Sequence, residues 1–397
     1  MDTLTVDSAK QRIPELEGIC SARANSVLLA DLGACYFTIG EPEKALPLLQ
    51  LAWDKNKNAS IGMNLGLILK DLGRHSESFH VIEQAYWLEP ENFYIRLGYG
   101  EALLRAGFWA QAWTIYDNAR PTQAGAAMDL RLPQAVKEWN GGPLPEGHRL
   151  FVINEGGVGD RLSYARWLPE LTKRGINWKF YPYSQLFSFF TRVFPRDLLS
   201  ADGDEINPTH WCTTFSLPAK LNITPSQIPP PLPLTAMQAN IDRYRLNVSD
   251  GYPVVGLCYA AAELFQGDRK VRSLSEGQAM RLVTQTMGKV HWVSLQYGKT
   301  MPYPVQTLPL GTWEETAGLI HNLDAVVTCD TGVMHLAGAM GKKMSVLLSG
   351  NSCWKFLAHG KKLPLYPSAK FYRNDKHGFE HALDELILDI SNGTAWS

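Results

Sequence analysis

No two cysteines in this 397-residue sequence stand as a CxxC pair. The six there are (Cys20, Cys35, Cys212, Cys258, Cys329, Cys353) are too scattered to frame a metal site or a disulfide scaffold. They read as free thiols of a reducing compartment, so a cytoplasmic protein is expected. Long apolar runs are missing too: none approaches the roughly 18 residues of a membrane-spanning helix. Met1-Asp2-Thr3-Leu4-Thr5-Val6-Asp7 has neither the basic nor the apolar stretch of a secretory leader. Charge of one sign is absent, since 38 Lys and Arg balance 39 Asp and Glu for a net charge of -1, which argues against broad affinity for nucleic acid or anionic membrane. No Asp-x-Asp metal signature stands at a suitable strand end, and no metal is expected. What remains is 45% hydrophobic residues over a length that suffices for two or three globular cores.

The N-terminal third repeats itself. Gly33, Gly66 and Gly100 recur at a spacing of 33 to 34, as do Gly40, Gly73 and Gly107, then Ala45, Ser78 and Ala112, then Ala52, Ala85 and Ala119. Between them apolar residues follow helical spacing, as in Leu28, Leu32, Cys35, Tyr36 and Ile39. Each unit is two antiparallel helices with glycine at the turn and small residues where the helices touch. The pattern resembles the tetratricopeptide repeat, with about three copies over residues 24–121 and Pro90 at the usual terminal proline. Ser78 departs from it, and so does the missing proline after the first unit. Such a solenoid grips a peptide or protein partner or buttresses its neighbour. The aromatic residues crowding the third unit (Phe93, Tyr94, Tyr99, Phe108, Trp109, Trp113, Tyr116) read as solenoid core plus a docking face against the next domain.

Past an Ala-, Gly- and Pro-rich linker (residues 122–147), the pattern turns to α/β. A strand at 149–154 runs into Glu155-Gly156-Gly157-Val158-Gly159-Asp160 and a helix. This is no dinucleotide fingerprint, because the G-x-G-x-x-G spacing is absent and Asp160 would repel a pyrophosphate. A carboxylate there suits a general base, although on local evidence alone an ordinary N-cap aspartate is the favoured reading. Pro229-Pro230-Pro231 and its neighbours make a stiff crossing between two halves, divided at residue 235. The second half holds strands at 254–258 and 290–296, and a loop with three cations in four residues, Arg269, Lys270 and Arg272 around Val271, suited to forking onto phosphate oxygens. Leu323 to Gly350 then reads as one βαβ unit. A buried strand at 325–329 ends at Asp330-Thr331-Gly332, and a small-residue helix carrying His335 follows. Amides and dipole at that helix start favour an anionic ligand, and a capped turn with a core histidine is the plain alternative.

Several stretches together resemble glycosyltransferase family 9, the heptosyltransferase-like group. They are Trp139-Asn140-Gly141-Gly142-Pro143-Leu144, Glu155 through Asp160, Ser216-Leu217-Pro218, Asp268 through Ser273, Val293-Ser294-Leu295-Gln296, and Asp330 through Ala337 with Gly341-Lys342; weaker echoes are Trp354 and Tyr366-Pro367 through Arg373. The resemblance implies tetratricopeptide helices (residues 1–121) followed by a GT-B glycosyltransferase of two Rossmann-like domains, an acceptor half at 148–235 and a donor half at 236–397. It implies Asp160 as catalytic base of an inverting, metal-independent transfer, with Glu155, Gly156, Gly157 and Gly159 as the acceptor-side loop. Arg269, Lys270, Arg272, Gln296, Glu314, Asp330, Thr331, Gly332 and His335 would hold the donor. It requires no cofactor beyond a nucleotide-diphosphate sugar as co-substrate, and its acceptor is a hydroxyl on a glycan, a protein or a modified nucleobase. Cys258-Tyr259-Ala260-Ala261 and Gly267 depart from the family pattern beside the donor sugar or base, which leaves the donor's identity open. A catalytically inactive interaction protein and a GT-B nucleotide-sugar epimerase are the other readings.

Overall fold

The computed structural model describes residues 4–119, 132, 135–204, 206–248, 251–261, 272–298, 301, 304–350, 352–374 and 378–396. Seven helices come first: α1 (Val6–Arg23), α2 (Ser26–Thr38), α3 (Pro42–Lys55), α4 (Ala59–Asp71), α5 (His75–Leu88), α6 (Phe93–Ala106) and α7 (Trp109–Ala119). The last six form three hairpins, and α1 adds a further helix packed on α2. The turn glycines Gly40, Gly73 and Gly107 take φ of 82°, 72° and 91°, a left-handed conformation that glycine adopts without strain. The other glycine series marks the crossings. A Cβ on Gly33 would lie 2.8 Å from Leu49 Cγ, on Gly66 2.3 Å from Ile82 Cγ1, and on Gly100 2.8 Å from Tyr116 Cβ. Ser78 fits its odd place because its hydroxyl, buried, donates to Gly66 O at 2.7 Å. Asn25, Asn58 and Asn92 cap α2, α4 and α6 with their side chains, a fifth repeating series.

Two parallel sheets follow. The first takes the order β1-β4-β2-β3, from β1 (Lys137–Glu138), β2 (Leu150–Ile153), β3 (Trp178–Tyr181) and β4 (His210–Thr213). Its edge strand β1 lies inside the segment expected as linker, where Trp139 is buried and donates from Nε1 to Gly142 O. The second sheet takes the order β6-β5-β7-β8-β9, from β5 (Val254–Cys258), β6 (His291–Ser294), β7 (Ala325–Cys329), β8 (Lys343–Leu348) and β9 (Ala369–Arg373). Its strand order reverses between β5 and β7, so the carboxyl ends of those two strands open the crevice where such sheets bind ligands. Helical repeats followed by two facing parallel sheets make the GT-B arrangement. Among the described residues no helix is long and apolar enough to cross a membrane.

An aromatic cluster is part of the docking of the repeats on the two α/β halves. Trp354, on a three-residue turn (Trp354–Phe356), meets Trp109 at 5.1 Å, Trp113 at 5.5 Å and Tyr116 at 6.4 Å between ring centroids, all edge-on. Tyr99 stacks on Tyr86 in the solenoid core, while Phe93, Tyr94 and Phe108 are exposed. The third unit's aromatics thus divide among core, docking face and open surface.

Candidate active site

Two strand–turn–helix units, one from each sheet, face each other. On the acceptor side β2 ends at Ile153, Gly156 turns with φ 81°, and a helix (Val158–Tyr164) begins. No other residue fits at Gly156, since a Cβ there would lie 2.6 Å from the Phe215 ring and 2.9 Å from Asp160 Cβ. The N-cap of that helix is Gly157, without a side-chain cap, so Asp160 sits inside the first turn and is not a capping residue. Its carboxylate pairs instead with Lys355 Nζ, 3.0 Å away. Glu155 N accepts no part in this; it donates to Thr214 Oγ1 at 3.3 Å and ties the loop to β4.

On the donor side β7 is buried along its whole length, and Thr331 caps the helix Gly332–Ala339, its Oγ1 accepting from Met334 N. The helix start comes up against the acceptor turn: a Cβ on Gly159 would lie 2.6 Å from His335 Cδ2 and 3.4 Å from Gly332 Cα. Only glycine at 159 lets the turns meet this closely. Asp330 and His335 Nε2 are 3.6 Å apart, and His335 Nδ1 lies 2.8 Å from the Tyr366 hydroxyl. Tyr366 is held in turn by the Arg166 guanidinium, 4.7 Å over its ring; Arg166 is itself buried and donates to Leu365 O and Ser163 O.

These groups set one another's charge. Burial and the Lys355 ammonium push His335 down to about 4, so it is neutral at pH 7. A neutral ring with its N–H on Nε2, toward the Asp330 carboxylate, leaves Nδ1 to accept from the Tyr366 hydroxyl. Burial opposes ionisation of Asp330, but the contact with His335 and the charges of Lys355 and Arg272 hold it below its ordinary value. Burial likewise opposes a charged Lys355, and the Asp160, Cys353 and Asp330 groups outweigh it, so the amine stays above its ordinary value. A cation flanked by two carboxylates, beside a helix N-terminus, is an arrangement that accepts a proton on one side and stabilises an anion on the other.

Of the residues expected at the site, the structure brings together Asp160, Gly159, Asp330, Thr331, Gly332 and His335, with the charge of Arg272 reaching Asp330. Arg269 and Lys270 lie outside the described residues. Gln296 is a clamp: its side chain accepts from Ala260 N and donates to Ala260 O, both at 3.0 Å, holding the loop after β5. Glu314 is engaged between the halves, where Arg192 Nη2 donates to it at 2.8 Å and the Ser188 hydroxyl also donates. Lys355, Tyr366 and Arg166 were missed. A lysine between two aromatic residues, Trp354 and Phe356, was the available signal for the first; the other two sit in stretches where only the fold reveals the partner. Cavities of about 430 and about 530 Å³ lie away from the turns, one between the repeats and the 357–359 segment and one at the base of the first sheet. At the turns themselves the halves are in contact.

The fold is that of GT-B glycosyltransferases, and a carboxylate of the first half faces a helix start of the second. Residues 298–376 match glycosyltransferase family 9 (heptosyltransferase), which supports glycosyl transfer as the general activity. Protein FlbA of Caulobacter vibrioides is 22% identical over 437 residues, covering 90% of this chain and 71% of that protein. Among solved structures, ADP-heptose lps heptosyltransferase II of E. coli aligns at 14% identity and a TM-score of 0.39, over 61% of this chain and 99% of the other. An O-GlcNAc transferase of Thermobaculum terrenum aligns at 12% identity and a TM-score of 0.34, over 98% and 90%.

Proposed function

We propose that the protein moves a sugar from a nucleotide-diphosphate sugar to an acceptor hydroxyl, with inversion and without a metal, Asp160 acting as general base. The acceptor oxygen gives its proton to the Asp160 carboxylate as it bonds to the anomeric carbon. The bond from that carbon to the diphosphate oxygen breaks, and the electron pair leaves with the nucleoside diphosphate. Its negative charge is met by the amides at the start of the Gly332–Ala339 helix and by Arg272, with Arg269 and Lys270 assigned to the same task. Asp330 and His335 are donor-site supports. The observation that carries the reading is the meeting of the two turns at Gly159 and Gly332, which puts the base of one half against the anion-favouring helix start of the other. The acceptor is a glycan, a protein or a modified nucleobase, and a protein or peptide partner would meet the repeats at the exposed Trp87, Phe93 and Tyr94. The free thiols accord with a cytoplasmic setting.

Transfer and donor-hydrolysis assays test it. Asp160→Ala is expected to lower turnover about a hundredfold or more, and Arg272→Ala to weaken use of the donor. Unchanged turnover in both variants would overturn the assignment.

A further inference from the structure

We infer that the repeat domain is part of the catalytic centre: through Trp354 it seats Lys355, a positioning residue, against Asp160. This rests on the transferase reading above.

Lys355 is only 5% exposed, and among the described residues the carboxylate at hydrogen-bonding distance, Asp160 Oδ1, belongs to the other half. The groups that face the pair come from each neighbouring element: Asp330 and His335 from the donor turn, Cys353 and Tyr366 from the donor half, and the Tyr164 ring, 5.2 Å from Nζ, from the acceptor helix. A buried ammonium whose partner is displaced is left uncompensated, so the position of Lys355 matters energetically.

That position is not set by a long element. The turn Trp354–Phe356 has three residues, and its neighbours hold it. Trp354 is boxed by Trp109, Trp113 and Tyr116 of the last repeat unit and by Tyr164 of the acceptor helix. Both flanks are tied to the repeats as well. Before the turn, Gly350 lies so close to the carbonyls of Lys70 and Asp71 that a Cβ would meet them at 2.6 and 3.0 Å, and Arg105 Nη1 donates to Gly350 O at 3.3 Å. After it, Leu357 takes φ 52°, a conformation costly for leucine, and Ala358 N donates to Arg105 O at 2.9 Å. Most of the box and both flanks lean on α4, α6 and α7, while Tyr164 completes the box and Arg373 of β9 donates to Phe356 O and Leu357 O. The consequence is chemical: an ammonium 3.0 Å from Asp160 fixes where that carboxylate stands in the junction, and a misplaced base loses rate.

The test is kcat and donor KM for the full chain and for Lys355→Met, Lys355→Arg, Trp354→Leu and Trp113→Leu, each checked by thermal melting. Lys355→Met is expected to lower kcat about tenfold or more with little change in donor KM, and Lys355→Arg to restore much of it. Trp113→Leu, in the repeats, is expected to lower kcat in the same way although Asp160 and Lys355 are intact. A kcat that stays put in Lys355→Met, or tryptophan variants that lose stability alone, would overturn the inference. A thermal double-mutant cycle between Asp160→Asn and Lys355→Met reads the same positioning without turnover. Coupling that disappears in the Trp113→Leu background supports it even if the full chain proves inert toward every nucleotide sugar, an outcome that would sink the transferase reading instead.

Discussion

The donor turn and the acceptor turn share one local plan, a buried strand running through Asp or Gly into a helix, yet they are built for different tasks. Asp330 has a side chain 15% exposed and is paired within its own half, to His335 and through it to Tyr366. Asp160 is 38% exposed, and its partner Lys355 reaches it from the other half. A carboxylate locked among neighbours of its own half is a scaffold part. One that is partly exposed and paired across the junction is reachable by a ligand entering between the halves, as the proposed base must be. Position at a strand end therefore does not assign a role; the source of the partner does.

The comparison can be broken first at His335. The unfolded chain takes up a proton near the ordinary 6.5, whereas the folded ring does so only near 4. Stability present above that window is thus lost progressively as pH falls through it, by roughly 3 kcal/mol at most. His335→Gln is expected to flatten the fall in melting temperature between pH 7 and 4, and an unchanged slope would remove the donor turn's claim to be the rigid one. A second, smaller effect belongs to the contact between the turns. Gly159→Ala puts a methyl 2.6 Å from the His335 ring, and overpacking of this kind costs about 1–3 kcal/mol. Turnover should drop and the melting temperature of the full chain should fall with it, whereas an unchanged melting temperature would show that the turns do not meet at Gly159. The smallest is Thr331→Ala, which removes the donor helix's side-chain cap at about 1 kcal/mol. The acceptor helix has no such cap to lose, since Gly157 holds that place.

Much of this was legible in the sequence because it depends on local spacing. The strand Ala325–Cys329 and the helix after Gly332 follow from β-branched residues, a capping threonine and small side chains. The repeats follow from glycines at 40, 73 and 107, which need the left-handed conformation, and at 33, 66 and 100, which need closeness. Less legible was whatever depends on a distant partner. The edge strand Lys137–Glu138 exists through pairing with β4, and nothing in its two residues announces it. The resemblance assigns Glu314 to the donor, but its contacts with Arg192 and Ser188, more than 120 residues away in the chain, have no local trace. Lys355 and Asp160 are 195 residues apart, so their pairing has no local trace.

The division of labour between the two turns is most directly tested by calorimetric titration of a panel of nucleoside diphosphates into the full chain, Asp160→Asn and Arg272→Met. Binding of one of them is expected to be unchanged in Asp160→Asn and weakened about tenfold or more in Arg272→Met, near 1.4 kcal/mol. Equal loss in both variants, or no binding by the full chain, would contradict the account.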